Sequence, residues 1–271
     1  MGTIVSFHAH PDDESIGASG TLSRAVDAGH RVVLVFGTRG ELGEPVPGVL
    51  AEGEQLAMRR TAEVYESARI IGAERVEFLG YTDSGMMGEA TNEAPWCFWQ
   101  ADVDHAARRL AAILDEERPD VLTVYDDNGG YGHPDHVQVH RVGRRAGELA
   151  GVPHIFESTM NRDHLREGMA LITSMNLEDG DPGDGPNPDD LETFGTPAAG
   201  ITHQVDVNEY LHVKRASMRC HRSQMADDHF MLRMPDDVFG WAFGTEWYIN
   251  SNPSGSLGPL AQDLFQPLNV S

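Results

Sequence analysis

The chain contains 271 residues, of which 40% are hydrophobic, and it has a formal net charge of −23 at pH 7. This length allows one large α/β domain or two small ones, and the hydrophobic fraction is sufficient to fill a core. The negative charge excludes a general nucleic-acid binder and a protein that docks on anionic membranes, because both need a basic surface.

Strands and helices are predicted to alternate over residues 1–160. Continuous apolar runs are typical of buried parallel strands, and apolar residues three and four apart predict helices. This alternation predicts an α/β fold, with a three-layer, Rossmann-like and mostly parallel sheet and helices on both faces. The predicted strands are 4–9, 31–37, 76–81, 121–125 and 155–160, and the predicted helices are 15–28, 56–70, 102–117 and 135–150.

The pattern changes after residue 160, where a smaller C-terminal α+β part is predicted. We expect residues 1–160 to form the core and residues 161–271 to complete the same domain and the rim of its pocket. Residues 221–224 (HRSQ) lie at the end of a predicted helix and either contact the substrate or form an exposed helix face. The predicted C-terminal elements are a strand at 201–207, a helix at 209–224, an acidic loop rich in Gly and Pro at 178–190, and a loop-like tail after Pro253.

Two clusters of histidine and aspartate follow the first and fourth predicted strands. Residues 10–14 (HPDDE) come directly after the first strand, and residues 133–136 (HPDH) lie shortly after the fourth. Parallel strands end at the same edge of a sheet, and α/β proteins bind ligands at that edge, where the strand order reverses. We therefore expect the two clusters to meet in one site.

Three of these side chains match the ligand set of a catalytic zinc ion. Such an ion takes three nitrogen or oxygen ligands and keeps one position for water. His10 and Asp13 are three residues apart and can converge on one ion, and His136 completes the set, which makes residues 1–160 the metal-binding core. A set of two histidines and one carboxylate also accepts iron(II), so the sequence leaves the metal open.

The remaining polar residues of the two clusters predict acid–base chemistry. Asp12 lies beside the ligands without being one, which suits a general base that deprotonates zinc-bound water. His133 lies three residues before a ligand, and Asp135 is expected to orient it. The sequence leaves open whether Asp12 works alone or together with His133.

The two motifs resemble the signatures of the zinc-dependent PIG-L/LmbE-like deacetylases. The resemblance is close over residues 3–160 and looser beyond them. It implies a hydrolase in which metal-activated water removes the N-acetyl group from an N-acetylglucosamine-type sugar or glycoconjugate. The likeness extends to the actinobacterial branch of mycothiol deacetylase and mycothiol conjugate amidase. An amidase of a larger glucosaminyl amide, or a deacetylase of a glycosylated natural product, is the alternative.

The same resemblance implies further site residues. Tyr131 would hydrogen-bond the developing oxyanion, and His133 would be an acid or a second oxyanion donor. Arg60 and Asp83 match positions that would hold the sugar or its inositol. The implied partner is a small amino-sugar substrate.

Several patterns that the sequence lacks bear on the cellular location of the protein and on its other partners. It has no signal-peptide pattern and no run of about 18 apolar residues, so we expect a cytoplasmic protein without a membrane partner. The two cysteines, Cys97 and Cys220, are expected to be reduced thiols. No Gly-x-Gly-x-x-Gly motif follows the first strand, which argues against a dinucleotide-binding site. The sequence does not decide the oligomeric state and leaves a homo-oligomer open.

Overall fold

One sheet runs through the part of the chain that the computed structural model describes, which is residues 1–174, 188–251 and 260–265. Within these ranges the sheet has seven strands, and their order across it is β3-β2-β1-β4-β5-β7-β6. The strands are β1 (Thr3–His8), β2 (Arg31–Phe36), β3 (Arg75–Phe78), β4 (Val121–Tyr125), β5 (His154–Thr159), β6 (His203–Asp206) and β7 (Thr245–Asn250).

The first five strands are parallel and the last two are not. β1 pairs with β2 and β4, β2 pairs with β3, and β4 pairs with β5, all in parallel register. β7 runs antiparallel to β5, and β6 runs antiparallel to β7. The predicted mostly parallel α/β sheet is confirmed. Its order reverses between β1 and β4, so the segments that follow these two strands emerge side by side at the ligand-binding edge.

Helices cover both faces of the sheet, as the alternating pattern predicted. One hydrophobic core lies between the sheet and α4 and α5, and a second lies between the sheet and α2 and α3. None of the described helices is long and apolar enough to cross a membrane. The helices are α1 (Asp13–Gly17), α2 (Ser19–Asp27), α3 (Leu56–Ile71), α4 (Val103–Glu117), α5 (Pro134–Ala150), α6 (Arg162–Ser174), α7 (Leu211–Met218), α8 (Phe230–Arg233) and α9 (Asp236–Phe243).

The helix predicted over residues 15–28 is wrong in one respect, because the structure divides it into α1 and α2. The break is at Ala18, whose φ of −137° and ψ of −13° are not helical. The carboxylate of Glu246, which lies on β7, accepts hydrogen bonds from the backbone N–H groups of Gly20 and Thr21 at 3.0 and 2.8 Å. A distant acidic residue thus caps a new helix start, and local periodicity carries no sign of it.

The C-terminal part shows the largest differences from the sequence prediction. The predicted strand at 201–207 is present as β6, but β7 was not predicted. The predicted helix at 209–224 ends at Met218, because the residues beyond it turn away to bond the core. Most of the predicted loop at 178–190, and most of the tail after Pro253, lie outside the described residues.

Candidate active site

The carboxylate of Asp13 lies between two imidazole rings at the switch point of the sheet. Its Oδ2 atom is 3.6 Å from Nδ1 of His10 and accepts a hydrogen bond of 2.9 Å from the His10 backbone N–H. Its Oδ1 atom is 3.4 Å from Nε2 of His136. The three predicted metal ligands are therefore brought together from the ends of β1 and β4.

His136 presents a buried nitrogen that has no hydrogen-bond partner among the described residues. Its Nδ1 atom lies 3.2 Å from the carbonyl oxygen of Gly129, a distance at which the ring N–H donates to that oxygen. With the proton on Nδ1, the lone pair of Nε2 is free, and Nε2 is the nitrogen that lacks a hydrogen-bond partner. An orphaned imidazole nitrogen beside a carboxylate and a second imidazole fits a zinc or iron(II) ion. Ligand atoms of His10, His133 and His136 also lie within 4.8 Å of one another.

Asp135 fixes the orientation of His10. Its carboxylate is fully buried, and Oδ2 lies 3.2 Å from Nε2 of His10. Ser84 holds the same carboxylate, with its backbone N–H donating to Oδ2 at 3.0 Å and its hydroxyl donating to Oδ1. A carboxylate behind a ligating imidazole sets the tautomer that leaves the other nitrogen free. The expected contact between Asp135 and His133 is made by the backbone of Asp135 and not by its carboxylate.

His133 is held as a neutral hydrogen-bond donor at the start of α5. The helix begins with Pro134, and Nδ1 of His133 accepts a hydrogen bond of 3.1 Å from the Asp135 backbone N–H. The proton of the neutral ring is then on Nε2. Burial and the neighbouring His10 and His136 lower the pKa of His133 to about 3. The ring can donate to an oxyanion, but it holds no second proton at neutral pH.

Asp12 has an unusual backbone conformation and contacts Arg60. Its φ is 121°, a conformation that residues other than glycine rarely adopt. Its Oδ2 atom accepts a hydrogen bond of 3.0 Å from Nη2 of Arg60. Burial raises the pKa of Asp12 to about 6, although the charge of Arg60 opposes the shift. A carboxylate with a pKa close to neutral is suited to accept and return a proton.

Arg60 is buried and contacts Asp12. Its guanidinium donates to the carbonyl oxygens of Pro11 and Gly40, at 2.5 and 3.1 Å, and to Oε1 of Gln224 at 3.2 Å. These contacts come in addition to the one with Asp12. The role predicted for Arg60, holding the sugar, stays a prediction, because its Nη1 and Nη2 donors are directed at groups of the protein.

Asp83 and Tyr131 lie at the rim of the site. Asp83 accepts backbone hydrogen bonds from Leu42 and Gly85, at 3.2 and 2.9 Å, and its Oδ1 atom is 3.7 Å from Nε2 of His10. The ring of Tyr131 is 39% exposed, and its centre lies 4.9 Å from that of His136. Both side chains therefore border the cluster, which is consistent with the predicted contacts to a bound molecule.

Sequence reasoning missed Tyr125, the last residue of β4. Its ring lies 4.7 Å from that of His136, and its hydroxyl is 3.0 Å from Nδ1 of His8. A further bond joins Nε2 of His8 to the hydroxyl of Ser6 at 2.8 Å. These groups pack beside His136 from inside the sheet. The available signal was a tyrosine at the end of a strand beside the switch point.

Comparison with known proteins identifies the family. Residues 5–147 match the family model described as PIG-L: GlcNAc-PI de-N-acetylase. The chain belongs to the PIG-L family. The match covers both histidine–aspartate clusters and confirms the resemblance seen in the sequence. This PIG-L family member is accordingly a deacetylase, which hydrolyses an amide bond.

Two relatives and one solved structure show how far the similarity extends. A 1D-myo-inositol 2-acetamido-2-deoxy-alpha-D-glucopyranoside deacetylase from Thermobifida fusca is 41% identical, over 82% of this chain and 83% of its own. One of the same name from Salinispora arenicola is 37% identical, over 99% of this chain and 92% of its own. The N,N'-diacetylchitobiose deacetylase of Pyrococcus horikoshii superposes with a TM-score of 0.58 at 23% identity, over 92% and 83% of the two chains. The last comparison shows the shared fold.

Proposed function

We propose that this protein is a zinc-dependent hydrolase that removes the N-acetyl group from an N-acetylglucosamine joined to inositol. The observation that carries the proposal is the Asp13 carboxylate placed between His10 and Nε2 of His136, a nitrogen without a hydrogen-bond partner in the described part of the chain. The names of the relatives that align with most of this chain support the glucosaminyl-inositol substrate. Family membership supports the deacetylation.

His10, Asp13 and His136 would hold the metal. When bound, zinc lowers the pKa of water to about 7 and polarises a carbonyl group, which an amide substrate requires because it is a poor electrophile. Asp135 would keep one of the ligands, His10, in place through the hydrogen bond described above. Iron(II) suits the same donors, so the metal content of the isolated protein decides between the two.

Asp12 would accept the proton of the attacking water at its carboxylate and return it to the departing amine. Of the three side chains with proposed proton or hydrogen-bond roles, Asp12 is the one whose pKa is near 6. Burial raises the pKa of Tyr131, so its hydroxyl stays protonated, while burial and nearby histidines keep His133 neutral. Tyr131 and His133 would therefore donate hydrogen bonds to the oxyanion, and Asp12 alone would move the proton.

Other side chains support the proposed substrate and the cellular location that we propose for the protein. Asp83 and Tyr131 border the cluster and would contact the sugar hydroxyls or the inositol. The two cysteines, Cys97 and Cys220, are both free and buried. Reduced thiols support a protein that works in the cytoplasm, where the proposed substrate would be a small soluble molecule.

The test is hydrolysis by the zinc-loaded protein. N-acetylglucosaminyl-inositol is incubated with it, and released acetate and new primary amine are both quantified, with a chelator-treated sample as control. Equal amounts of acetate and amine, lost on chelation and restored by zinc, are expected. A matched substrate with a longer acyl group tests the alternative amidase activity. Faster release of the longer acyl group, or acetate release that survives complete metal removal, contradicts the proposal.

A further inference from the structure

The peptide group that precedes Asp12 is held at both of its polar atoms. Its carbonyl oxygen, from Pro11, accepts a hydrogen bond of 2.5 Å from Nη2 of Arg60. Its N–H, from Asp12, donates to Oε2 of Glu14 at 2.9 Å. A backbone with a φ of 121° is strained for a residue other than glycine and persists only where its surroundings enforce it. These two bonds supply that enforcement.

Glu14 is itself fixed by three donors. The side chain is fully buried, and its Oε1 atom accepts hydrogen bonds from Ser15 at 2.9 Å, from Ser67 at 2.5 Å and from Nε2 of His221 at 2.7 Å. The carboxylate is therefore held in place by its donors, with Oε2 directed at the N–H of Asp12.

His221 reaches this carboxylate from the C-terminal part of the chain. It follows the end of α7, has no exposed surface, and lies outside residues 5–147 that match the family model. The turn that carries it is anchored to the core, because Ser223 donates two hydrogen bonds, of 2.9 and 2.6 Å, to the carboxylate of Glu63 on α3. Neither alternative for residues 221–224 in the sequence, substrate contact or an exposed helix face, describes these two buried side chains.

We propose that Glu14 and His221 are a positioning pair that holds the backbone of Asp12 in the conformation in which its carboxylate faces the reacting water. The proposal rests on the proposed role of Asp12 as the base. Neither residue is a catalytic residue, since both are fully buried. Their effect would pass from His221 to Glu14, and from Glu14 to the N–H of Asp12.

Substitution of His221 tests the pair in the zinc-loaded enzyme. His221→Leu is expected to lower kcat by about 10- to 100-fold, the loss typical of a group displaced by about 1 Å. KM and bound zinc should stay close to their wild-type values, because neither side chain of the pair hydrogen-bonds to a proposed metal ligand or to Asp83 or Tyr131. His221→Gln should recover most of kcat, since its amide can donate from the position of Nε2, and Nδ1 has no hydrogen-bond partner among the described residues.

Two further variants separate positioning from folding. His203→Leu removes another buried histidine, on β6, that contacts neither cluster, and it should keep the wild-type kcat. The double variant Glu14→Met/His221→Leu removes the carboxylate together with its imidazole donor, which spares the fold an unpaired buried carboxylate. The Asp12 N–H then loses its acceptor, so the double variant should fold and remain slow. A double variant with wild-type kcat overturns the proposal, as does a His221→Leu enzyme whose lost activity matches its lost zinc.

Amide hydrogen exchange gives a readout that does not depend on the substrate. In zinc-loaded His221→Leu, the Asp12 amide should exchange at least about tenfold faster than in wild type, while amides of the central strands stay protected. Unchanged exchange at Asp12 contradicts the positioning pair even if kcat falls. If the wild-type protein releases no acetate, the proposed function fails, and the exchange of the Asp12 amide still decides whether the pair holds this backbone.

Discussion

The two adjacent aspartates of the first cluster have opposite electrostatic environments. For both residues burial is the largest influence and raises the pKa. At Asp13 the nearby His136 and His10 outweigh it and lower the pKa, so this carboxylate stays ionised as a metal ligand must. At Asp12 the effect of burial, which raises the pKa, exceeds the opposing effect of the Arg60 charge. Neighbouring carboxylates with diverging pKa values are typical of sites that divide binding from proton transfer.

Asp12→Asn tests that division. We expect zinc to stay bound at the wild-type stoichiometry, because the three ligands are unchanged, and kcat to fall by about 10²- to 10⁴-fold, the range for a lost general base. Asparagine tolerates positive φ nearly as well as aspartate, so the backbone should be kept. Acetate release and metal content are the measurements. Asp127→Asn, an exposed carboxylate after β4, is the matched control. Retained turnover in Asp12→Asn would rule out this base.

At the scale of elements, the sequence predicted which segments meet but not how they are supported. Apolar runs placed β1 and β4, and both clusters follow strand ends, so the meeting of His10 and His136 was predictable. The break at Ala18, the end of α7 at Met218, and the bond between Glu14 and His221 depend on partners far along the chain. Local periodicity holds no information on such partners, since each is chosen by the packing of the whole fold.

Gly143→Ala tests how closely α5 must approach the sheet to present its first turn to the site. A Cβ atom at Gly143 would lie 2.3 Å from Cγ1 of Val124 and 3.2 Å from Cδ1 of Phe7. Although alanine favours helix, we expect a loss of about 1–3 kcal/mol in unfolding free energy, as is usual for overpacking, and a lower kcat as α5 shifts. Urea unfolding measures the first effect.

A glycine in a looser position of another helix is the control for this substitution. At Gly240 of α9 the nearest atom to an added Cβ, in Leu211, is 3.4 Å away. Gly240→Ala should therefore be neutral or stabilising by up to about 1 kcal/mol. Equal changes in unfolding free energy for Gly143→Ala and Gly240→Ala would show that α5 is not tightly packed against the sheet.

At the scale of the whole molecule, the C-terminal part shares the sheet of the core. β7 pairs along β5, and Glu246 on β7 caps α2 and contacts the buried Lys214 of α7 at 2.6 Å. We propose on this basis that residues 1–160 and 161–271 form one domain. The C-terminal part would also form the rim of the pocket, because it carries Phe194. The ring of Phe194 stacks on that of Tyr131, with ring centres 6.2 Å apart.

One domain should unfold in one step. Intrinsic fluorescence and far-ultraviolet circular dichroism are expected to give the same urea midpoint for the metal-free protein. A fragment ending at residue 160 lacks the strand that covers β5, so it should show no cooperative transition. Two separated midpoints for the full chain, or a fragment that unfolds cooperatively, would indicate two domains.

His203 should make stability depend on pH. It packs against Phe156 with ring centres 4.7 Å apart, and burial lowers its pKa from 6.5 to about 4. As the pH falls below 6.5, the unfolded chain takes up this proton before the folded protein does, so stability is lost between about pH 6.5 and 4. Between pH 7 and 5, wild type should lose about 1 kcal/mol more unfolding free energy than His203→Leu. If the unfolding free energies of wild type and His203→Leu change equally with pH, the result contradicts this assignment.

The bond between Glu14 and His221 has a consequence for the order in which the enzyme matures on the ribosome. The proposed ligands and base all lie within the first 136 residues, whereas His221 is synthesised much later. Translation proceeds from the N-terminus at about 5–20 residues per second, so a nascent chain carries the whole donor set for several seconds before its base gains support. A stalled or truncated chain of that length would carry the ligands without the strand that covers β5 and without the partner of Glu14, so competence would arrive only with the final third of synthesis.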